Sequence, residues 1–272
     1  MAVLALLAAL AVAEPVVLVT CAPGYPGSTA EAQPAMDAFA SALASGAGLP
    51  SGSVSAVYHE SEKAGLDRLA RPDAALAMVT LPFFLQHGAA LKLQARLDAV
   101  QKGGKPGEVW SLVAKKGRVT SPASLEGWQV ASVAGYSPAF VKGAALAGWG
   151  RLPASAQVVQ SGQVLSQLRK AAAGENVAVL LDGPQSEALG TLPFAADLEV
   201  VARSAPLPSG VLAIVGKRLD AERWKRIDRA LRTLRDEEGG TAALDGIRMQ
   251  AFVPLDEAAL SKAKKDFAAA GR

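Results

Sequence analysis

The sequence predicts an α/β fold in two lobes, each a mainly parallel β-sheet flanked by helices. Short runs of apolar and β-branched residues alternate along the chain with helical patterns, which is the order that strand-helix-strand crossover units produce. A polar break at 101–107 separates a first group of these units from a second. With 272 residues the chain is long enough to divide into two lobes.

The first thirteen residues predict a secretory signal. An apolar run at 3–12 ends in the small residues Ala11-Val12-Ala13, which are typical of a cleavage site. The run has about half the length that a bilayer core requires, and Glu14-Pro15 ends it. We therefore expect export to the periplasm through a cleaved signal peptide. Cys21, the sole cysteine, permits no intramolecular disulfide, and we expect it to be a buried residue and not a lipid anchor.

The first lobe is predicted to open with a strand, a loop and a helix. The strand at 16–21 leads into a loop rich in Gly and Pro. Ser28-Thr29-Ala30-Glu31 fits a capping box, so the helix should begin near Ser28. Glycine is common just after a helix, so the helix should end at Gly46 or Gly48. The next predicted elements are a strand at 53–58, a helix at 61–71 and a strand at 74–80. Because ligands bind beyond the carboxyl ends of parallel strands, the loops at 25–29 and 80–84 should share one rim.

The second lobe is predicted to begin after the polar break, with a strand at 109–114 that crosses between the lobes. A strand at 129–133 then leads to a helix with Ser137 as its cap and Pro138 as its first residue. The remaining elements are a strand at 156–160, a helix ending at Gly174, a strand at 177–181, a return crossing at 204–210 and a strand at 211–215. Lobe 1 is thus predicted at 14–110 and 206–272, and lobe 2 at 111–205.

The C-terminal part is predicted to be mainly helical. Asp220 is a cap candidate, and Trp224, Ile227, Leu231 and Leu234 follow at spacings of three and four, which places them on one buried face. A strand or loop near 249–253 and a last helix from about 256 complete the chain.

Composition and motif spacing argue against several functional classes. The net charge is +3 without a basic face, and the aromatic residues are scattered, so we expect no nucleic-acid partner. The two histidines, His59 and His87, lie near no second metal-type ligand in the sequence. The members of a Ser-His-Asp triad need not be close in sequence, but the Gly-x-Ser-x-Gly elbow that often carries the serine is absent. The phosphate-binding loop and the dinucleotide-binding fingerprint are absent too. We expect a binding protein without catalytic residues, metal or cofactor.

From Leu18 to about Asp256 the order of elements resembles the two-lobed periplasmic solute-binding proteins of phosphonate and phosphite transporters. The resemblance rests on the first strand with its loop and on the order of the segments 124–128, 136–138, 161–162, 177–183, 203–208 and 224–234. It implies a soluble receptor whose lobes close over one small molecule and deliver it to a membrane transporter. Two hinge crossings, near 109–114 and 203–211, would permit that closure. We expect this receptor to be a monomer.

Two departures from that family change the expected ligand. The relatives hold an anion at a Ser/Thr-rich helix start, whereas Gly135-Tyr136-Ser137-Pro138 offers one clear hydroxyl and a proline without an N–H. Where the relatives tend to have a histidine, this chain has Gln160-Ser161-Gly162-Gln163. The aromatic rim then favours a bulkier, less charged organic ligand. The predicted ligand contacts are Tyr25, Ser28, Thr29, Thr80, Pro82, Phe83, Tyr136, Ser137, Ser161 and Asp182.

Several alternatives stay open at this point. Phe83 and Phe84 fit either a cleft wall or the core, and Ser28, Ser137 and Asp182 fit either a ligand contact or a cap. A carrier of an apolar ligand, such as a sterol or another lipid, would need a large cleft lined by Phe, Leu and Tyr. A sensor module that reports to a signalling partner would have the same two lobes.

Overall fold

The structure is a computed structural model that describes residues 15–271. The predicted signal segment at 1–13 lies outside the described residues. The strands are, in chain order, β1 Val16–Cys21, β2 Val54–His59, β3 Ala74–Thr80, β4 Leu93–Gln101, β5 Ser111–Lys115, β6 Gln129–Ser132, β7 Gln157–Gln160, β8 Val177–Leu181, β9 Leu198–Arg203, β10 Gly210–Val215 and β11 Met249–Pro254.

Helices alternate with these strands along the chain. They are α1 Thr29–Gly46, α2 Glu62–Leu69, α3 Leu81–His87, α4 Val164–Ala173, α5 Gly183–Ala188, α6 Ala221–Thr233, α7 Gly240–Gly246 and α8 Glu257–Ala270, together with a π-helix at Phe140–Ala145. β3 and β8 have the bounds that the sequence predicts, because both are continuous apolar runs buried along their whole length.

The strands form two sheets, which confirms the two-lobed α/β fold. Lobe 1 has a six-stranded sheet in the order β11-β4-β10-β3-β1-β2, and lobe 2 a five-stranded sheet in the order β7-β6-β8-β5-β9. Each sheet contains more antiparallel pairs than predicted. In lobe 1, β1 is parallel to β2 and β3, but β10 is antiparallel to its neighbours β3 and β4. In lobe 2, β6 is parallel to β7 and β8, but β5 is antiparallel to its neighbours β8 and β9. The chain reaches β10 from the other lobe at the carboxyl edge of β3, where Gly210 pairs with Thr80, so β10 must run back across the sheet.

The helix starts largely follow the predicted caps. Ser28 forms the predicted capping box: Glu31 N–H donates to Ser28 Oγ at 3.3 Å, and Ser28 N–H donates to Glu31 Oε2 at 2.9 Å. Asp220 accepts the Arg223 N–H at 2.8 Å and caps α6 as predicted. The predicted cap at Ser137 needs correction. A helix does follow, but it becomes a π-helix, and the Ser137 hydroxyl is buried without a hydrogen-bond partner.

Sequence analysis missed β4, β9, α5 and α7. The residues of β4 alternate between apolar and polar over 93–98, which is the period of a half-buried strand and was the available signal. α7 has no side-chain cap, and its N-cap is Gly239 in the left-handed region, so the usual start signal is absent.

The two hinge crossings, 102–110 and 204–209, run side by side and bond to each other. An isolated antiparallel bridge joins Glu108 to Leu207, with the Leu207 N–H donating to the Glu108 carbonyl at 2.9 Å. Ser204 N–H donates to the Trp110 carbonyl at 2.9 Å, and Trp110 N–H donates to Ser204 Oγ at the same distance. The crossings therefore form a short ribbon between the lobes.

Apolar packing also joins the lobes. One buried cluster contains Phe83 and Phe84 of α3 in lobe 1 together with Trp110 and Phe140 on the lobe 2 side. The Trp110 and Phe140 rings meet edge to face, with centroids 5.0 Å apart. The structure thus shows the lobes in contact and not separated by an open cleft.

The last helix does not stay with the sheet that precedes it. The segment 206–272 was predicted to belong to lobe 1, and β10 and β11 join that sheet, but α8 packs on the π-helix of lobe 2. Leu260 and Ala263 of α8 join the same buried cluster as Phe140. The close approach depends on Gly143, where a Cβ would lie 2.5 Å from the Asp266 carbonyl oxygen.

We predict that Gly143→Ala lowers the free energy of unfolding by about 1 to 3 kcal/mol, because the added methyl group forces α8 away from the π-helix. Urea unfolding followed by circular dichroism measures the change. Gly148→Ala is the matched control, since a Cβ there meets nothing within 4 Å. An equal loss of stability in both variants would contradict the packing argument.

Candidate functional site

The loop after β1 meets the backbone of lobe 2. Gly24 has φ +88, and a Cβ at this position would overlap the carbonyl oxygen of Val133 in lobe 2. On the same loop, the Gly24 carbonyl oxygen would lie 3.1 Å from a Cβ at Gly162. Only glycine permits both the conformation and the contact, so this loop is shaped for the closed arrangement of the lobes.

Tyr25, next on the same loop, bonds directly to lobe 2. Its phenol donates to Asp182 Oδ2 at 2.9 Å and accepts a longer bond, 3.4 Å, from the Gln101 side-chain amide. Asp182 is buried at the end of β8, where it also caps α5 by accepting the Gln185 N–H at 2.9 Å. Burial raises the pKa of Asp182, and its bonds to Gln185 and Tyr25 oppose that rise.

A second pair of hydroxyls joins the lobes at the end of β3. Thr80 Oγ1 and Tyr136 Oη lie 2.9 Å apart, and Thr80 Oγ1 also accepts the Phe83 N–H at the start of α3. Burial raises the pKa of the Tyr136 phenol, so it remains protonated. Tyr25, Thr80, Tyr136 and Asp182 therefore make two hydrogen-bonded pairs across one contact surface, which we call the seam.

Two more carboxyl groups are buried behind the seam. Glu108 Oε1 accepts the Gly183 N–H at 3.1 Å, and its Oε2 has no hydrogen-bond partner. Burial, and then the negative charge of Asp182, raise the pKa of Glu108 to about 8. Asp98 accepts the N–H groups of Ser209 and Gly210 at 2.9 and 3.2 Å, and burial raises its pKa to about 6. No ion pair to a Lys or Arg is formed by these carboxyl groups in the described chain, and burial keeps Glu108 protonated at neutral pH.

The other residues predicted to contact the ligand lie outside the seam or form hydrogen bonds to other protein groups. Ser28 and Thr29 donate their hydroxyl groups to the carboxylates of Glu31 and Glu60. Ser161 Oγ accepts hydrogen bonds from the two glutamines that follow it, at positions 163 and 167. Pro82 and Phe83 are buried in the first turn of α3, and Phe83 and Phe84 belong to the apolar cluster that also contains Trp110 and Phe140.

Sequence analysis missed Glu108 and Asp98 as members of the seam region. Asp98 lies within β4, which was not predicted, and Glu108 lies between the polar break and the strand predicted at 109–114. Their partners are more than 70 positions away along the chain. A carboxylate in a segment that becomes buried was the only available signal, and burial depends on the fold.

A cavity of about 540 Å³ lies beside the seam, on the lobe 1 side. Its described lining comes from the carboxyl ends of the lobe 1 strands, from α1, from the turn between α7 and β11 and from the second crossing, with no residue of 111–205. The lining includes Thr20, Tyr25, Glu31, Ala32, Met36, Tyr58, Met78, Thr80, Gln101, Ser209, Ile247, Arg248 and Met249.

Within residues 15–271, no group of three or more His, Cys, Asp or Glu side chains is arranged to hold a metal ion. The described helices include none that is both long and apolar enough to cross a membrane.

Residues 27–260 match the family described as ABC transporter, phosphonate, periplasmic substrate-binding protein. No curated protein sequence is similar enough to count as a match.

Solved structures with the same fold include binding proteins from several bacteria. A Xanthomonas citri protein with bound chloride is 17% identical, with 94% of this chain and 98% of that chain covered and a TM-score of 0.71. A binding-protein component of an ABC phosphonate transporter from Pseudomonas aeruginosa is 14% identical, covering 95% and 89%, with a TM-score of 0.63. A Prochlorococcus marinus protein in complex with methylphosphonate is 11% identical, covering 95% and 99%, with a TM-score of 0.63.

We predict that the free energy of unfolding falls by about 1.4 kcal/mol per pH unit from about pH 6.5 to about pH 8. In this range the unfolded Glu108 is ionised, whereas the folded carboxyl group keeps its proton until about pH 8. The folded state therefore binds more protons, and its stability is lost as the pH rises through that value. Urea unfolding at a series of pH values measures the slope.

Glu108→Gln should flatten this slope, because the amide oxygen still accepts the Gly183 N–H but carries no titrating proton. Asp98→Asn is the matched control, since Asp98 titrates near pH 6, below the range. A slope that persists unchanged in Glu108→Gln would show that another group is responsible.

Proposed function

The chain belongs to the family of periplasmic substrate-binding proteins of phosphonate ABC transporters, and we propose that it captures a small organic ligand between its lobes and hands it to a membrane transporter. Hinge movement of the lobes about the two crossings would open and close the site. On this proposal the chain is not an enzyme, and it acts as a monomer exported through its cleaved signal segment.

The pairing of polar side chains across the seam carries this proposal. Tyr25 and Thr80 from lobe 1 bond to Asp182 and Tyr136 from lobe 2, and all four lie at or just beyond the carboxyl ends of strands, where α/β sheets bind ligands. In the closed molecule without ligand these groups satisfy each other. When the lobes open, a ligand with hydroxyl or amine groups would form hydrogen bonds to these side chains in place of the bonds that they make to each other.

The charges at the seam support a ligand that is not a phosphate-like anion. Asp182 and Glu108 form no ion pair with a Lys or Arg among the described residues, so the seam offers an incoming anion no positive charge. At the start of α1, the carboxylates of Glu31 and Glu60 already accept the hydroxyl groups of Ser28 and Thr29. In lobe 2, Ser137 is the one clear hydroxyl of its loop, and it is buried. We therefore propose a polar organic ligand that offers hydrogen-bond donors.

The polar seam also weighs against a sterol or lipid carrier. Phe83 and Phe84 are buried in the apolar cluster between the lobes, and neither lines the cavity of lobe 1. Cys21 is buried at the end of β1, and burial raises the pKa of its thiol to about 12, which supports its role as a core residue and not as a lipid anchor.

We predict that the double variant Tyr25→Phe with Tyr136→Phe opens the ligand-free protein, because it removes both hydroxyl groups that bond across the seam. Each bond contributes about 0.5 to 1.5 kcal/mol, so the closed state should lose about 1 to 3 kcal/mol relative to the open state. Small-angle X-ray scattering should then give a larger radius of gyration.

Tyr58→Phe is the control for that experiment, since Tyr58 lies on β2 at the edge of the lobe 1 sheet, away from lobe 2. A radius of gyration that is the same in wild type, double variant and control would contradict a closure held by these bonds.

We predict that native mass spectrometry of protein purified without denaturation shows a bound organic molecule with hydroxyl or amine groups. Methylphosphonate, phosphite and phosphate at millimolar concentration should raise the melting temperature less than that molecule does, because no described residue of the seam carries a positive charge. A larger shift with the phosphorus anions than with the co-purified molecule would reject the proposed ligand class.

A further inference from the structure

Glu108 lies on the first crossing at the point where that crossing meets lobe 2. Its backbone bonds to the second crossing through Leu207, and its Oε1 accepts the Gly183 N–H of lobe 2 at 3.1 Å. A Cβ at Gly183 would lie 3.2 Å from both Cγ and Oε1 of Glu108, so the start of α5 packs directly on the carboxyl group. Glu108 is only 5% exposed, although it belongs to a hinge segment. Its enclosure therefore depends on how the crossing and the lobes meet.

Titratable groups of both lobes act on Glu108. Burial raises the pKa of Glu108 to about 8, and Asp182 of lobe 2 and Asp98 of lobe 1 add to that rise. The Tyr25 phenol of lobe 1 is also close, since burial raises the pKa of Tyr25 and the charges of Asp182 and Glu108 raise it further. Each of these neighbours is acidic or neutral, so none of them stabilises a carboxylate at position 108.

The lysines of the first crossing are committed to other carboxylates. Lys102 forms an ion pair with Asp245 at 3.0 Å, and Lys105 forms one with the exposed Glu187 of α5 at 3.5 Å. The second crossing has no charged or titratable residue. Because Glu108 forms no ion pair within the described chain, binding of a proton is the means by which its charge is removed.

The hydrogen bonds of Glu108 suit a neutral carboxyl group better than a carboxylate. Its Oε2 is buried and has no hydrogen-bond partner among the described residues. Burial of an unpaired oxygen is much more unfavourable on a charged group than on a neutral one. Ionisation of Glu108 therefore requires that water reach its carboxyl group, and the closed arrangement of the lobes keeps water out.

We propose that Glu108 is a proton-sensitive latch of the hinge: its neutral carboxyl group holds the first crossing on α5 in the closed molecule, and loss of the proton favours the open molecule. The proposal rests on the hinge movement that is part of the proposed function. When the lobes rotate apart, Tyr25 leaves Asp182 and water reaches Glu108. Closure then takes up a proton at Glu108, independently of the ligand.

Closure should weaken as the pH rises. The closed molecule keeps the proton of Glu108 until about pH 8, whereas the hydrated carboxyl group of the open molecule loses it near the usual pKa of a glutamate, about 4.3. Between these values the closed molecule binds more protons, so the ratio of open to closed molecules should rise by up to about tenfold per pH unit. Asp182 acts in the same direction, because burial raises its pKa too.

Double electron-electron resonance on the full chain measures the opening. Spin labels at Ser41→Cys on α1 and Lys170→Cys on α4 place one probe at an exposed position of each lobe. Cys21 stays unlabelled, since it is buried and burial raises the pKa of its thiol to about 12. A second distance between the labels should gain population as the pH rises from about 6 to about 9.

Glu108→Gln tests the residue. Its amide oxygen still accepts the Gly183 N–H but no proton titrates, so the population of the second distance should lose most of its pH dependence. Glu187→Gln is the matched control, because it removes a carboxylate from the exposed ion pair with Lys105, the other polar contact between the first crossing and α5. This control should keep the pH dependence of the wild type.

The latch is overturned if the wild type gives the same distances at about pH 6 and about pH 9, or if Glu108→Gln opens with pH as the wild type does. The double variant Tyr25→Phe with Tyr136→Phe, labelled in the same way, separates this result from failure of the proposed function. If the double variant opens and the wild type does not, the hinge movement stands and the latch is wrong. If neither opens at any pH, the hinge movement is absent and both proposals fall.

Discussion

Buried carboxyl groups at the hinge are the constraint on which the arrangement of the lobes depends. Asp98 accepts two backbone N–H groups where the second crossing enters β10, Glu108 accepts the first N–H of α5, and Asp182 accepts both the α5 cap bond and the Tyr25 phenol. Asp182 therefore ties lobe 2 to lobe 1, Glu108 ties the first crossing to α5, and Asp98 ties the second crossing to β4. Because burial disfavours their charged forms, the same groups make closure sensitive to protons and to cationic or hydrogen-bond-donating ligands.

The fold was predictable where local chemistry decides the structure. Fully buried strands such as β3 and β8 are continuous apolar runs, and α1 begins with a capping box that is visible in the sequence. The missed elements, β4 and α7, are held by partners distant in sequence: β4 lies between β10 and β11, and α7 packs on α1. The sheet order that brings these partners together is a property of the whole chain and leaves little local trace.

The sequence predicts where along the chain the site residues lie better than it predicts which groups their side chains contact. Tyr25, Thr80, Tyr136 and Asp182 follow strand ends, and the general rule for α/β sheets is enough to place them near a common rim. Phe83 follows a strand end too, yet it turns into the core, since side-chain direction in the first turn of a helix depends on packing. Glu108 was missed because its burial depends on how the first crossing packs against α5.

The position of α8 gives the chain a third passage between the lobes. Only Leu255 and Asp256 separate β11 in lobe 1 from α8 on lobe 2, and so short a linker spans about 10 Å at full extension. The lobes are thus tethered at two places, by the paired crossings and by this linker, and they cannot slide apart as free bodies. If the lobes open as proposed, rotation about an axis that passes near both linkers would stretch neither of them.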